Sequence, residues 1–255
     1  MGATMPVIKK NGVEIYYEEA GTGLPLLVLP GGGLNATVAG LENHAFNPIE
    51  EFSDKYRVIA LDLRNAANGK SIGPLEIEKT WDGFTDDQLT LMDHLSIEKF
   101  MVLGFCIGGP LVWNLLKRAK DRVICATLVH PSGFTSSHPN IYFQNNIRGW
   151  APNLIENNPN ITLDMATEFL NNMYTKRADF VFTVDRNFVK NCETPILILP
   201  DDIPAHPYAT AMETALLAPN SQVSLYPWKE NDRKIELAIR HISLFFSSYS
   251  QSNSI

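Results

Sequence analysis

The sequence has no long apolar run, few cysteines and fewer basic than acidic residues, and each shortage argues against a class of protein. No apolar run reaches the roughly 18 residues of a bilayer-spanning helix, and residues 1–10 lack the apolar stretch of a signal peptide. The 28 acidic residues outnumber the 21 Lys and Arg residues, and the net charge of -7 disfavours nucleic-acid and membrane partners. The three cysteines form neither a disulfide framework nor a metal-ligand spacing. We therefore expect a cytoplasmic protein.

What the sequence does have is an alternation of short apolar strands and helical patterns, which predicts a largely parallel sheet covered by helices. Strands are predicted at residues 13–18, 25–29, 56–61, 100–104, 123–129, 195–199 and 222–226. Helices are predicted after a cap at Thr85, at residues 106–118 and at residues 232–246. The Ser-rich tail, residues 247–255, is expected to be frayed.

Between residues 135 and 191 the alternation of strands and helices stops. This segment is rich in asparagine and aromatic residues, and it contains helical patterns but no strand pattern. We interpret it as a lid, residues 135–191, inserted between two strands of a core formed by residues 1–134 and 192–255. The alternative is a set of ordinary helices that cover the sheet.

Residues 104–109, Gly-Phe-Cys-Ile-Gly-Gly, are the most informative segment. They join an apolar run to a helical pattern and match the G-x-S-x-G nucleophile elbow, with Cys106 in the serine position. Such an elbow exposes the thiol at the positive N-terminal end of a helix, which stabilises a thiolate. We predict that Cys106 is a nucleophile; the alternative is a small buried apolar residue. Cys125, inside an apolar strand, and Cys192, at the lid boundary, are expected to be structural.

Residues 85–131 resemble the α/β-hydrolase superfamily, with a helix, a strand, the elbow and a second helix in that order. Residues 25–33 resemble the oxyanion loop of that family, and residues 62–71 resemble its D-x-R-G-x-G-x-S segment. The cysteine elbow is similar to that of dienelactone hydrolases, whereas the rest of the chain is more similar to the lidded hydrolases. The resemblance covers nearly the whole chain apart from the lid. It implies an α/β-hydrolase fold, a mostly parallel central sheet with helices on both faces and a short helical lid.

The resemblance also implies where the catalytic groups should lie. The backbone N–H groups of Ile107 and Gly32, with Gly33 as the alternative, would form the oxyanion hole; otherwise the glycine run is a plain turn. The family places an acid after the strand that follows the lid, where Asp202 is the candidate although it stands one or two positions early. The family places a histidine after the last strand, but residues 226–233 contain none. The expected catalytic triad is therefore incomplete in the sequence.

The sequence contains six histidines, and three of them are candidates for the site. His206 follows a strand end, at the face where sites in such sheets are built, and is a candidate base or substrate contact; the alternative is a turn or helix-cap residue. His130 follows another strand end and is a candidate substrate contact, or else a packed histidine. His138 at the start of the lid is a candidate ligand contact. The remaining three, His44, His94 and His241, are expected to be structural.

A thiolate formed at a helix end attacks without a general base. The presence of the cysteine can therefore explain the absence of the expected histidine. The hypothesis is a hydrolase or acyl transferase that uses Cys106 on a small apolar activated acyl substrate, such as an ester, thioester or lactone. Asp202 and His206 would assist, and aromatic residues of the lid would supply the pocket walls. Amides are not expected as substrates. The alternatives are a lyase or isomerase that uses His206 or Asp202, and a ligand-binding protein with a degenerate triad.

No motif for a nucleotide, a metal or a flavin is visible, so we expect no cofactor and no metal. The expected partner is a small-molecule substrate. Nucleic acid and membranes are not expected as partners, and a homodimer is left open.

Overall fold

An eight-stranded sheet organises the chain in the computed structural model, which describes residues 6–250. The strands are β1 (Val7–Lys10), β2 (Val13–Ala20), β3 (Pro25–Leu29), β4 (Arg57–Leu61), β5 (Phe100–Phe105), β6 (Val123–Val129), β7 (Ile196–Leu199) and β8 (Ser221–Val223). Their order in the sheet is β1-β2-β4-β3-β5-β6-β7-β8. Strand β2 is antiparallel to β1 and β4, whereas all pairs from β4 across to β8 are parallel. The carboxyl ends of β3, β5, β6 and β7 therefore meet at one edge.

Helices cover both faces of this sheet. They are α1 (Pro48–Phe52), α2 (Thr80–His94), α3 (Gly108–Ala119), α4 (Ile141–Gly149), α5 (Ala151–Asn157), α6 (Leu163–Tyr174), α7 (Arg186–Lys190), α8 (Tyr208–Leu217) and α9 (Asp232–Ser250). Alternate residues of β3 belong to opposite cores: Leu27 and Leu29 to the core that includes α2 and α3, Leu26 and Val28 to the core that includes α9. The predicted α/β fold, buried on both faces, is confirmed. None of these described helices is long and apolar enough to cross a membrane.

Two helix boundaries differ from the sequence predictions. Helix α2 begins at Thr80 rather than after Thr85, because Thr85 lies inside the helix and its hydroxyl donates to the Trp81 carbonyl one turn earlier. Helix α9 continues through residues 247–250, where a frayed tail was expected. The rest of that tail, residues 251–255, lies outside the described residues.

The edge strands of the sheet were the least predictable. Strand β1 has no predicted counterpart, and β8 ends at Val223 rather than at residue 226. After β8 the chain turns away from the sheet, and the indole of Trp228 becomes buried. Edge strands are short and half-exposed, so their apolar pattern is weak.

The segment between β6 and β7 contains α4 to α7 and no strand. Helix α4 packs on the loop that follows β3: Asn146 Oδ1 accepts a hydrogen bond from the Leu34 N–H at 3.2 Å, and Asn35 Nδ2 donates to the Gly149 carbonyl at 3.0 Å. These contacts lay the helices over the carboxyl edge of the sheet. The division into a core and a lid remains a prediction.

The turn after β4 contains Asp62, Arg64 and Ser71, which belong to the segment that resembles D-x-R-G-x-G-x-S. Asp62 Oδ1 accepts a hydrogen bond from the Val38 N–H at 2.7 Å. Arg64 forms a buried ion pair with Asp87 at 2.6 Å, and Ser71 Oγ accepts a backbone N–H of β2 at 2.9 Å. Because Val38 follows the glycine loop after β3, the Asp62 contact fixes the path of that loop.

Candidate active site

Cys106 lies on a tight turn between β5 and α3. Its φ of 51° is in the left-handed region that a non-glycine residue rarely adopts. Backbone hydrogen bonds hold the turn: the Cys106 N–H donates to the Val129 carbonyl at 3.1 Å, and the Cys106 carbonyl accepts the Ser132 N–H at 2.9 Å. A Cβ at Gly104 would lie 2.6 Å from the Gly108 carbonyl oxygen, so this position requires glycine. The motif thus builds the sharp turn that presents the thiol.

Two backbone N–H groups beside Cys106 are placed to stabilise an oxyanion. Within residues 6–250, neither the Gly32 N–H nor the Ile107 N–H donates to a backbone oxygen, and the Gly32 N–H helps to lower the pKa of the Cys106 thiol. Gly32 has a φ of 122°, which favours glycine, and Ile107 caps the N-terminus of α3. Both residues, like Gly33, line the same pocket as Cys106. The two predicted donors therefore lie beside the thiol, and their catalytic role remains a prediction.

The loop after β7 brings a histidine and a carboxylate together. Paired backbone hydrogen bonds between Ile203 and His206 close a tight turn, with the His206 N–H donating at 2.8 Å. This turn places His206 Nδ1 3.0 Å from Asp201 Oδ2. Asp202, the acid proposed from the sequence, is exposed, and the carboxylate at His206 belongs to Asp201 instead. Successive side chains of an extended segment point to opposite sides, so an error of one position selects the wrong carboxylate.

The loop after β8 carries Trp228 and Lys229 where the family resemblance places a histidine. Trp228 is buried, and its Nε1–H donates to the Pro200 carbonyl at 2.9 Å. Lys229 Nζ lies 2.5 Å from Asp201 Oδ2, the same oxygen that contacts His206. Burial opposes the ionisation of Asp201, but hydrogen bonds from His206 and Lys229 outweigh it and hold the pKa of Asp201 well below its usual range. Asp201 is therefore ionised and can orient the imidazole.

Cys106 and His206 are coupled through their charges. Burial favours the neutral thiol, but the interaction with His206, helped by the Ser132 hydroxyl, outweighs burial and lowers the pKa of Cys106 to about 7. Ser132 Oγ lies 3.3 Å from Cys106 Sγ. Burial also opposes the charge on His206, yet Asp201 and Cys106 raise the pKa of His206 to about 9. Between these pH values the pair exists as thiolate and imidazolium, the reactive state of a cysteine nucleophile.

The thiol faces a small pocket of about 230 Å³ beneath the helical segment. Its aromatic lining consists of Trp81 from α2, Tyr142 from α4 and Tyr174 from α6, and three asparagine side chains also line it. Within the described chain, the lining includes no Asp, Glu, Lys or Arg. The pocket is thus uncharged, and its wall combines aromatic rings with amide side chains.

The sequence matches a known family along most of its length. A family model of the alpha/beta hydrolase fold matches residues 25–251. The chain belongs to the α/β-hydrolase family. Carboxylesterase YbfK of Bacillus subtilis (strain 168) is 32% identical over 119 residues, which are 46% of this chain and 38% of that protein. Epoxide hydrolase 4 of Mus musculus is 29% identical over 136 residues, 50% of this chain and 35% of that protein. The matches therefore span less than half the length of these curated relatives.

Solved structures share the architecture of this α/β-hydrolase. A meta-cleavage product hydrolase from Pseudomonas fluorescens IP01 gives a TM-score of 0.71 at 19% identity, covering 95% of this chain and 97% of that chain. The enol-lactonase from Burkholderia xenovorans LB400 gives a TM-score of 0.70 at 20% identity, covering 95% of this chain and 100% of that chain. At these identities the likeness establishes the fold and leaves the substrate to the site itself.

Two other candidate histidines of this α/β-hydrolase lie away from the pocket. The His130 ring is buried behind His206, with 4.6 Å between the two ring centroids, and it stacks on Trp228 at 5.8 Å. His130 is not part of the pocket lining, and its role as a substrate contact remains a prediction. His138 is exposed, and its Nδ1 lies 3.1 Å from Ser137 Oγ. Both side chains are held by neighbouring residues rather than presented to the pocket.

His44 supports the elbow from the opposite core. Its Nε2 accepts a hydrogen bond from the Gly31 N–H at 3.3 Å, and its ring stacks on Phe105 with 4.5 Å between centroids. Burial lowers the pKa of His44, which keeps Nε2 unprotonated and able to accept. The expected structural role of this histidine agrees with its contacts. His94 and His241 lie on α2 and α9.

Sequence reasoning missed three residues that surround the thiol and the imidazole, namely Ser132, Asp201 and Lys229. Ser132 follows the carboxyl end of β6, and the rule that sites form at strand ends could have singled it out. Asp201 is adjacent to the residue that was proposed. Lys229 carries no signal in the sequence, because its contact depends on how the loops after β7 and β8 pack together.

We predict that alkylation of Cys106 by iodoacetamide follows an apparent pKa of about 7. The thiolate predominates above this pH and reacts, whereas the thiol predominates below it, so the rate falls as the pH drops through this value. An unperturbed thiol has a pKa of about 8.5. Timed labelling with peptide mass spectrometry measures Cys106 separately from Cys125, which should stay unlabelled because burial raises its thiol pKa. A midpoint at the unperturbed value contradicts the coupling to His206.

Proposed function

We propose that this protein hydrolyses small, uncharged, activated acyl compounds, such as thioesters, aryl esters and lactones, with Cys106 as the nucleophile. The observation that carries the proposal is the set of groups around one thiol. Cys106 stands on a strained turn, the His206 imidazole that lowers its pKa is paired with the Asp201 carboxylate, and the Gly32 and Ile107 N–H groups line the same pocket as the thiol. His206 Nε2 is buried and has no hydrogen-bond partner among the described residues. It is therefore the nitrogen that is available to exchange protons with the thiol and the substrate.

In the acylation half-reaction, the Cys106 thiolate attacks the carbonyl carbon of the substrate and a C–S bond forms. The carbonyl oxygen becomes an oxyanion and accepts hydrogen bonds from the Gly32 and Ile107 N–H groups. The bond to the leaving group then breaks, and the leaving oxygen or sulfur takes the proton from His206 Nε2. The products are an acyl thioester on Cys106, the protonated leaving group and a neutral His206.

In the deacylation half-reaction, a water molecule attacks the thioester carbonyl and gives a proton to His206 Nε2. The C–S bond breaks, the carboxylic acid is released, and the thiolate–imidazolium pair is restored. Asp201 stabilises the imidazolium through Nδ1 in both half-reactions. Lys229 keeps Asp201 ionised and in place.

The choice of an activated substrate follows from the pKa of the nucleophile. The tetrahedral adduct can expel either the Cys106 thiolate or the leaving group of the substrate. Because the pKa of Cys106 is about 7, the thiolate departs first unless the competing group is similarly stable, as a thiolate, a phenolate or an enolate is. An amide nitrogen is a much poorer leaving group, so amides should not react.

The comparisons support this substrate class, since the similar proteins include a carboxylesterase and an enol-lactonase. Acyl transfer shares the first half-reaction and differs only in the molecule that accepts the acyl group. A lyase, an isomerase or a ligand-binding protein would form no acyl-enzyme. The presence of an acyl group on Cys106 during turnover therefore separates the proposal from these alternatives.

A panel of thioesters, p-nitrophenyl esters and matched amides tests the proposal. We expect turnover of the first two classes, and a quenched reaction should carry one acyl mass on the peptide that contains Cys106. Adding an alcohol or a thiol as a competing acceptor separates acyl transfer from hydrolysis by the products formed. Turnover without acyl-Cys106, or thermal stabilisation by these compounds without any turnover, contradicts the proposal.

A further inference from the structure

Tyr174 is a buried residue that lines the Cys106 pocket. It is the last residue of α6, is 3% exposed and lines the pocket. Its ring stacks on Tyr142 at 5.4 Å and meets Trp81 edge-on at 5.6 Å, both between centroids. Within residues 6–250, the Tyr174 hydroxyl makes no hydrogen bond, yet it is not sealed inside the protein. The hydroxyl can therefore be reached from the pocket, and a ligand that supplies an acceptor here gains a hydrogen bond.

Four other polar side chains of the pocket wall are already used by the fold. Tyr142 Oη donates to the Ala205 carbonyl at 2.7 Å and accepts a backbone N–H at 3.0 Å. The amides of Asn35 and Asn146 each donate to a backbone carbonyl and accept a backbone N–H. Trp81 Nε1 donates to a backbone carbonyl at 3.3 Å. Among the three aromatic residues that line the pocket in the described chain, Tyr174 is thus the one whose donor remains available to a substrate.

The course of the proposed reaction favours a contact between Tyr174 and the acyl part of the substrate. In the covalent intermediate the acyl group stays attached to Cys106 in the buried pocket, whereas the leaving group has departed. Burial, and then the nearby charge of Cys106, raise the pKa of Tyr174 well above its usual value. The phenol is therefore neutral when the enzyme works and serves as a hydrogen-bond donor rather than as an acid or a base.

We propose that Tyr174 is a specificity-determining residue whose hydroxyl donates a hydrogen bond to an oxygen on the acyl group of the substrate. The preferred substrates then carry a hydroxyl or keto oxygen beyond the reacting carbonyl, rather than a hydrocarbon chain. A site built to bind such an oxygen rejects the analogue without it, because the donor is left unpaired. This inference rests on the proposed acyl chemistry at Cys106, and it replaces the expectation of an apolar substrate.

The substitution Tyr174→Phe removes the hydroxyl and keeps the ring packing. The test compares p-nitrophenyl esters of equal acyl length, with and without a hydroxyl or keto oxygen at the third or fourth carbon. We expect the wild type to favour the oxygenated ester by about tenfold in kcat/KM. Tyr174→Phe should lose this preference through a higher KM for that ester, with the alkyl ester changed by less than about twofold. Tyr56→Phe, a buried tyrosine of the opposite core, is the matched control and should keep the preference.

A binding measurement separates this inference from the proposed chemistry. Protection of Cys106 against iodoacetamide by 3- and 4-hydroxybutanamide, compared with butanamide, requires no turnover. Stronger protection by a hydroxylated amide in the wild type, lost in Tyr174→Phe, supports the inference even if no ester is hydrolysed. Equal protection by all three amides in the wild type overturns it. An equal loss for both ester classes in Tyr174→Phe also overturns it, and leaves the chemistry at Cys106 standing.

Discussion

Replacing Cys106 with alanine is expected to lower kcat/KM for a thioester or an aryl ester by roughly 10⁴- to 10⁶-fold. The substitution removes the atom that forms the acyl-enzyme, so no covalent route remains. The N–H groups of Gly32 and Ile107 stay in place and account for the residual rate over the uncatalysed reaction. Steady-state kinetics measure the loss, and thermal unfolding checks that the fold is retained.

Cys192→Ala is the matched control for this prediction. It makes the same change at a cysteine that is buried outside the pocket, and it should keep the wild-type rate. Cys106→Ser gives a second comparison, because it retains a nucleophilic atom but replaces a thiolate with a hydroxyl that His206 must first deprotonate. We expect its rate to lie between those of wild type and Cys106→Ala. A rate for Cys106→Ala within tenfold of wild type would show that Cys106 is not the nucleophile.

Replacing His206 with alanine is expected to lower kcat by about 10²- to 10⁴-fold. The variant cannot protonate the leaving group in acylation or accept a proton from water in deacylation. The loss should be smaller in the acylation rate of a p-nitrophenyl ester than of an alkyl thioester, because p-nitrophenolate departs without being protonated. Single-turnover kinetics on the two substrates measure this difference.

The pH dependence of iodoacetamide labelling in His206→Ala distinguishes coupling to the thiol from a merely structural role of His206. Because His206 lowers the pKa of Cys106 to about 7, its removal should shift the midpoint of iodoacetamide labelling upward. His138→Ala is the control, since His138 is exposed and outside the pocket lining; it should change neither the rate nor the midpoint. An unchanged labelling midpoint in His206→Ala would mean that the imidazole is not coupled to the thiol.

The central strands were predictable because their local pattern and their tertiary environment agree. Strand β3 and strand β6 begin and end at the predicted residues, since both are apolar runs buried on both faces of the sheet. The edge strands β1 and β8 are short, and β8 is largely exposed. Their positions follow from pairing with a neighbouring strand rather than from their own composition, so the sequence pattern alone places them poorly.

The sequence by itself determined the elbow that carries Cys106 and the glycine loop that faces it. Both are local structures, since a turn with a φ of 51° at Cys106 depends on Gly104 and on the helix that follows immediately. Tertiary structure alone decided which imidazole and which carboxylate lie near the thiol. The imidazole of His206 meets the carboxylate of Asp201 because a turn folds the loop after β7 back on itself, and Lys229 reaches that carboxylate across 28 residues of sequence. The loops after β7 and β8 meet because these two strands are neighbours in the sheet. The spacing of residues along the chain does not specify that order of strands.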